Sequence, residues 1–450
     1  MKIFETKKTS IQNVIACIQK NSSISDGAVS KQSREKTKSL FGKPLTPPQV
    51  VDHILSDIRR RGDRALMHYN HVLDNARLTT KTLRVSSREL SHALRITPKP
   101  IIATIRRVIK NIERFQKHIR YTPPGALSHN GIRCALNVRP IESVGAYIPG
   151  GIGGETPLVS TVLMNTIPAR TAGVKRIVMV SPPRKDGTIH PTLLAAASLC
   201  NVDEIYKVGG VQAVGALAYG TATIQPVNKI IGPGNIFVSL AKRSVFGHVD
   251  IDFFAGPSEV LIIADHHANP DSIALDLFSQ AEHYPGSAIL VTPSARLLNA
   301  VTAAIQTQLP NMKRSRQIQE MFDKFCFLIK TTSMKEAIAV SNTLAPEHLQ
   351  IMTHDNQSVL KMITNAGAIF VGPMTPVAVG DYFAGPSHVL PTNSTARFFS
   401  GLTVNDFIKT SSVIQFSHNA LKRSAPDIIR LAEIEGLHAH AASVASRIQK

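Results

Sequence analysis

From Ser143 onward the chain alternates short branched-aliphatic runs with helical stretches of ten or more residues, and it does so twice. Strands are expected at Ser143–Ile148, Arg176–Val180, Glu204–Val208 and Lys229–Ile231, with helices from Thr156, to Cys200 and to Tyr219 in the connections. A second unit follows, with strands expected at Val260–Ile263, Ala288–Val291, Phe325–Ile329 and Ala368–Val371. Strands joined by helices are parallel neighbours, because the crossover must carry the chain back to the starting edge of the sheet. The expected fold class is therefore α/β, with two Rossmann-like α/β units carrying parallel-rich sheets, plus small helical N- and C-terminal segments.

The 450 residues are enough for more than one full core. Apolar residues recur at helical spacing from 50 to 75 and from 97 to 119, which predicts amphipathic helices. Residues 1–45 carry nine Lys/Arg against three Asp/Glu and one weak apolar stretch, Ile11 to Ile18. They read as a basic helical segment followed by a linker at Ser22–Gly27. The division expected is 1–45, a main α/β domain from 46–146 with 260–402, an inner Rossmann-like domain at 147–259, and a tail at 403–450, helical from about Asp406.

A formal net charge of +20 raises the question of a polyanion partner. The basic residues are dispersed in short clusters such as Arg59-Arg60-Arg61, without the aromatics that stack on single strands, so a solvated basic surface is expected and nucleic acid is not. No apolar run approaches 18 residues, so no membrane-spanning helix is expected, and no apolar stretch follows Lys7-Lys8, so no secretory signal is expected either. Four scattered cysteines, Cys17, Cys134, Cys200 and Cys326, fit reduced thiols in a cytoplasmic protein.

Gln280 and His283 lie three apart in a run that opens with an Asn269 N-cap and Pro270, so a helix would put both on one face. Pro285 would stop that helix, leaving His283 at its end. With Asp381 and His440 they supply the amide, imidazole and carboxylate groups that a borderline metal accepts, and Glu347-His348 adds an acid/base pair. Each has an ordinary reading alone: a Gln-x-x-His pair usually binds nothing, Glu347-His348 could be an exposed charged pair after Pro346, and Asp381 could be a turn residue. The glycines of Gly150-Gly151, Gly209-Gly210 and Gly232-Pro233-Gly234-Asn235 fall at the C-terminal ends of strands, where open α/β sheets bind ligands. No strict GxGxxG follows a strand, so a nicotinamide cofactor is not established by motif.

Five segments occur together: Ala255-Gly256-Pro257-Ser258-Glu259-Val260, Ser279-Gln280-Ala281-Glu282-His283, Ala345-Pro346-Glu347-His348-Leu349, the run from Gly380 to Thr392, and Glu435-Gly436-Leu437-His438-Ala439-His440. In order and spacing they resemble the histidinol dehydrogenase family, across roughly residues 46 to 450. The resemblance implies one Zn²⁺ per site, held by Gln280, His283, Asp381 and His440 and completed by substrate nitrogens. It implies His348 as the base for alcohol oxidation and Glu347 as the base for the water that adds to the aldehyde, two adjacent residues of one loop. Ser258, His388 and Glu435 resemble substrate contacts beside those metal ligands and His348. Tyr147, Gln212 and Asn235 match NAD⁺-contacting positions, which makes 147–259 the NAD-binding domain.

The family further implies a homodimer whose tail crosses to the partner, so that Glu435 and His440 complete the neighbouring site. The expected activity is the zinc-dependent oxidation of L-histidinol through bound L-histidinal to L-histidine with two NAD⁺, the last steps of histidine biosynthesis. Two departures stand out: the loop 149–157 is a few residues longer than usual, and the first 45 residues match only loosely, so no catalytic part is assigned to them. One alternative is a paralogue that oxidises another primary alcohol, such as a sulfonated propanediol, although an anionic substrate calls for Arg or Lys where this chain has Glu435 and His388. The other is an inactive basic homologue associated with nucleic acid, against which the retained ligands and bases count.

Overall fold

The computed structural model describes residues 1–22, 31–151, 155–254, 256–283 and 286–449. Residues 23–27 of the expected linker, Ile152–Gly154 of the loop 149–157, and Pro285, the expected helix stop, lie outside the described residues.

Two parallel sheets organise the chain. The larger runs β1 (Lys2–Glu5), β11 (Cys326–Lys330), β10 (Gly286–Thr292), β9 (Ser258–Ala264), β12 (His348–Met352), β13 (Ala368–Val371), every neighbour parallel. The smaller runs β6 (Glu204–Lys207), β5 (Arg176–Ser181), β4 (Ser143–Tyr147), β7 (Lys229–Ile231), β8 (Asp250–Ile251), also parallel throughout. A third sheet is antiparallel: β14 (Ile408–Phe416), β3 (Ile132–Pro140), β2 (Leu127–His129).

Helices cover both faces of each parallel sheet, which is why its strands read as continuous apolar runs. In β9, Val260 and Ile262 face the helices Pro270–Ala281, Ala295–Gln308 and Ser315–Phe325, while Leu261 and Ile263 face Ile11–Ser22, Met334–Leu344 and Asn356–Met362. The smaller sheet divides in the same way: Val144, Ile177 and Met179 bury against one set of helices, and Tyr147, Val178 and Val180 against another.

The helices between 47 and 119 belong to these two faces of the smaller sheet, where Pro47–Arg61 packs on Gly210–Tyr219 and Lys99–Ile119 on Val159–Ala172. The sequence grouped 46–146 with 260–402 instead. Amphipathic spacing reports that a helix buries one face, not which sheet receives it. β4 also crosses the expected boundary at 146/147.

Both chain ends contain strands where helix was expected. Lys2–Glu5 adds an edge strand beside β11, too short for any periodicity to declare itself. In the tail, Ile408–Phe416 is not helical from Asp406 but pairs along its whole length with β3, and the helices His418–Ile434 and His438–Ala445 follow it. Nearly every residue of β14 is exposed, so no in/out alternation marked it as a strand.

The segment from 376 to 407 ties the two parallel sheets together. Asn111 Nδ2 donates to the Phe383 carbonyl at 3.1 Å, Ser387 Oγ to the Met164 carbonyl at 3.2 Å, and the Val404 N–H to Gln116 Oε1 at 2.8 Å. Val389, Leu402, Val404 and Phe407 share a core with Val144 and Ile177. Asp381 and His388 are thereby carried to the junction of the two units.

Candidate active site

The N-terminal ends of β9 and β12 lie side by side, with His348 opposite Val260 in register. Glu347 is only 7% exposed and His348 5%. Glu347 Oε2 accepts from Ser258 Oγ at 2.7 Å and from the Glu259 N–H at 2.9 Å. His348 places Nδ1 2.9 Å from the Glu259 carbonyl and 3.4 Å from Glu347 Oε2, while its Nε2 has no hydrogen-bond partner among the described residues. That Nε2 faces Asp381 Oδ1 at 3.9 Å, and the Asp381 carbonyl lies 3.1 Å from His388 Nδ1.

The pair is not wholly in a loop, which was the expectation: Glu347 is the last loop residue and His348 opens β12, and the Ala368 N–H bonds back to the Glu347 carbonyl at 2.9 Å. Two polar residues at the head of a strand hide the apolar run behind them, Leu349 and Ile351, both fully buried.

Burial works against charge on His348, but the Glu347 carboxylate and its hydrogen bond outweigh it and raise the imidazole to about 9. Burial likewise opposes ionisation of Glu347, yet the His348 charge, Ser258 and the Glu259 N–H hold its carboxyl below the usual range. Glu259 goes the other way: burial and then the Glu347 charge push its carboxyl up to about 8.

Gln280 is the penultimate residue of the helix Pro270–Ala281, which Asn269 caps through Oδ1 to the N–H groups of Asp271 and Ser272. It is 4% exposed, whereas His283, just past the helix end, is exposed, so the two differ in burial. A Cβ on Gly286 would lie 2.8 Å from the Ser258 carbonyl and 3.1 Å from Gln280 Nε2, which places the Gln280 amide next to the head of β9. Among the described residues Gln280 Nε2 has no partner. An amide turned over puts oxygen at that buried position, an acceptor that a cation would satisfy, so the Gln280 and Asp381 oxygens and the His283 imidazole suit a borderline metal.

Glu435 and His440 are exposed and stand apart from this group, because the last two helices pack mainly on each other. Among the described residues, His283, Asp381 and His440 of one chain do not form a cluster with donor atoms in mutual reach; the one such cluster is Asp265, His266 and His267.

A cleft of about 980 Å³ opens at the C-terminal ends of β4, β5 and β6. It sits where the strand order turns from β4 towards β7, the usual ligand crevice of open α/β sheets. Tyr147, Gln212 and Asn235 all line it. Asn235 Oδ1 caps the helix Ile236–Val245 through the Phe237 and Val238 N–H groups, which leaves its amide nitrogen for the cleft. Gln212 is fully buried, donates to Asp74 Oδ2 at 3.1 Å, and has no partner at Oε1 among the described residues. Behind the Gly232-Pro233-Gly234 turn, the buried Lys242–Asp252 ion pair bonds to both the carbonyl and the N–H of Gly232. Gly232 has φ 107°, and a Cβ there would strike the Tyr147 carbonyl.

Sequence reasoning missed several of these residues. Glu259 carries no expected role from the sequence, although a carboxylate inside an aliphatic strand is itself a signal. Asp74, Leu40 and Phe41 reach the cleft from helices whose partner sheet the sequence does not reveal.

The family model for histidinol dehydrogenase matches residues 45–448. The chain is similar to a histidinol dehydrogenase of Geobacillus kaustophilus, 47% identical over 403 residues, 89% of this chain and 94% of that one. It is 43% identical to one of Rhodopirellula baltica over 435 residues, covering 97% and 94% of the two chains. Its fold matches the crystal structure of histidinol dehydrogenase from Elizabethkingia anophelis with TM-score 0.88 at 35% identity, over 100% of this chain and 98% of that one.

Proposed function

Because the chain belongs to the histidinol dehydrogenase family of oxidoreductases, we propose that it oxidises L-histidinol through bound L-histidinal to L-histidine with two NAD⁺, both steps at the site around Glu347 and His348. The observation that carries this reading is the buried, unpartnered Nε2 of His348. A carbonyl can only accept, so the Glu259 carbonyl selects Nδ1–H. With the imidazole raised to about 9 the charged ring predominates at pH 7; in the neutral form, which gains as pH rises towards 9, the lone pair stands on Nε2, free to take the hydroxyl proton of the substrate. Glu347, 3.4 Å from Nδ1, steadies the imidazolium that forms.

Oxidation of an aldehyde to a carboxylate needs a hydrate first. Glu347 is the nearest carboxylate to His348 and takes a proton from the water that adds to the carbonyl. With both bases in one buried pocket, the reactive aldehyde is used where it is made. Ser258, His388 and, from the partner subunit, Glu435 would hold the substrate. NAD⁺, as the second substrate, would lie in the cleft against Tyr147, Gln212 and Asn235 and accept the hydride of each step. Zn²⁺ held by Gln280, His283, Asp381 and His440 of the partner subunit would supply orientation and polarisation of the substrate. We place the enzyme in the cytoplasm, a reading supported by buried Cys200 and Cys326, which form no disulfide.

The test is stoichiometric. Purified, zinc-loaded protein should yield two NADH per L-histidinol with no aldehyde captured by semicarbazide, and no NADH from dihydroxypropane sulfonate. One NADH per histidinol, or aldehyde trapped in bulk, would overturn the single-site reading.

A further inference from the structure

Asp265, His266 and His267 turn away from the C-terminal end of β9, and His354 leaves the C-terminal end of its neighbour β12. The Asp265 carboxylate draws the two turns together. Its Oδ1 accepts the His267 N–H at 2.9 Å and its Oδ2 the His354 N–H at 2.7 Å, while its own N–H donates to the Met352 carbonyl at 3.3 Å. The rings follow: His266 and His267 have centroids 3.9 Å apart, and His267 and His354 4.8 Å apart. All three histidines are exposed, and donor atoms of Asp265, His266 and His267 lie within 4.8 Å of one another.

We propose that Asp265, His266, His267 and His354 form a second metal site, for a borderline divalent transition ion such as Zn²⁺. Three imidazoles and one carboxylate are a donor set for Zn²⁺, Ni²⁺ or Cu²⁺ and a poor one for Ca²⁺ or Mg²⁺, which prefer oxygen. Tetrahedral Zn–N bonds of about 2.0–2.1 Å put donor atoms roughly 3.3 Å apart, so side-chain rotations of the exposed rings close the shell. A carboxylate offers about four lone-pair sites, and Asp265 has spent two of them on backbone N–H groups. The backbone needs no rearrangement, because those bonds already hold the two turns together.

The site lies at the opposite end of the same strands from Glu347 and His348. Six steps of β9, from Ser258 to Ala264, separate the two by about 20 Å. A bound ion would staple two neighbouring loops without touching the reacting groups.

The experiment compares wild type with a His266→Ala/His267→Ala/His354→Ala variant, each dialysed to equilibrium against ZnCl₂, with bound zinc counted by mass spectrometry. Wild type should hold one more zinc per chain than the variant, and the two should oxidise histidinol at the same rate. The count is a difference, so it does not depend on how many ions Gln280 and its neighbours hold. A His267→Gln variant, which keeps a side chain of similar size, should lose at least about tenfold in affinity for the additional ion, since losing even an outer partner of a ligand costs roughly that much. Equal zinc counts in wild type and triple variant, or an unchanged affinity in His267→Gln, would overturn the proposal.

Discussion

The carbonyl of Glu259 lies 2.9 Å from Nδ1 of His348, and the N–H of the same residue lies 2.9 Å from Oε2 of Glu347. One residue of β9 thus orients both acid/base groups through its backbone. Its side chain has a separate task, accepting the Asn393 N–H at 3.1 Å and so holding the loop that follows His388. Strand pairing is among the stiffest devices a chain has, and two consecutive bases at the head of β12, held by the backbone of β9, inherit that stiffness.

If Nε2 of His348 takes the alcohol proton, His348→Gln should slow histidinol oxidation by about 10²–10⁴-fold, the usual worth of a positioned base. Glu347→Gln should slow the oxidation of supplied histidinal more than that step, which loses only the carboxylate beside Nδ1, because only the aldehyde must be hydrated. Single-turnover NADH formation from each substrate separates the two effects. Equal impairment of both steps in both variants would contradict the division of labour.

Asp74 predicts a pH effect on stability. Burial pushes its carboxyl from 3.8 up to about 6, with Gln212 pulling weakly the other way. A folded-state value above the unfolded one means that stability is complete below about pH 4 and declines as pH rises through about 6. Asp74→Asn keeps an acceptor for Gln212 and removes the charge. It should raise stability at pH 7 by roughly 1–3 kcal/mol and flatten the profile between about pH 4 and 6. Urea unfolding across that range measures it; an unchanged slope would show that Asp74 titrates normally.

The parallel sheets were legible in the sequence because strands buried on both faces have to be apolar throughout: Val260–Ile263 and Ala288–Val291 could be read directly and lie within β9 and β10. β14 was not, since its exposed faces place no demand on pattern. Candidate residues from Gln280 to His388 were named in the sequence through the joint occurrence of motifs that resemble one family, each residue alone having an ordinary reading. What the sequence could not show is which backbone groups orient them: the part played by the Glu259 carbonyl depends on β9 and β12 being neighbours, a property of sheet order rather than of residue type. The His266, His267 and His354 cluster was hidden for the same reason, its parts being separated in sequence and joined only by that pairing.

Lys242 and Asp252 are buried together, and the pair anchors Gly232 at both N–H and carbonyl. Lys242→Met removes one charge and strands the other, which typically costs about 3–5 kcal/mol. Replacing both, as Lys242→Met/Asp252→Asn, should recover part of that loss because no isolated charge remains. Thermal unfolding of the two variants measures the difference, and NAD⁺ affinity should fall in both as the Gly232 turn loosens. A single substitution costing under about 1 kcal/mol would mean that water reaches Asp252.

The tail predicts how the chain assembles. Leu431, Ile434 and Leu437 are exposed on or beside its helices, and Ile414 on its strand, an apolar surface that the described residues of its own chain leave uncovered. Such surface is expected to be covered by a partner, and exchange of tails between two chains would bring Glu435 and His440 to the neighbouring Gln280 and Asp381. Mixing inactive His440→Ala chains with inactive Glu347→Ala/His348→Ala chains then becomes decisive. Random reassembly makes about half the molecules heterodimers, each with one site free of lesions and one carrying all of them, so about a quarter of wild-type activity should return. If the refolded mixture stays inactive while wild type refolds with full activity, His440 serves its own chain and the exchange does not occur.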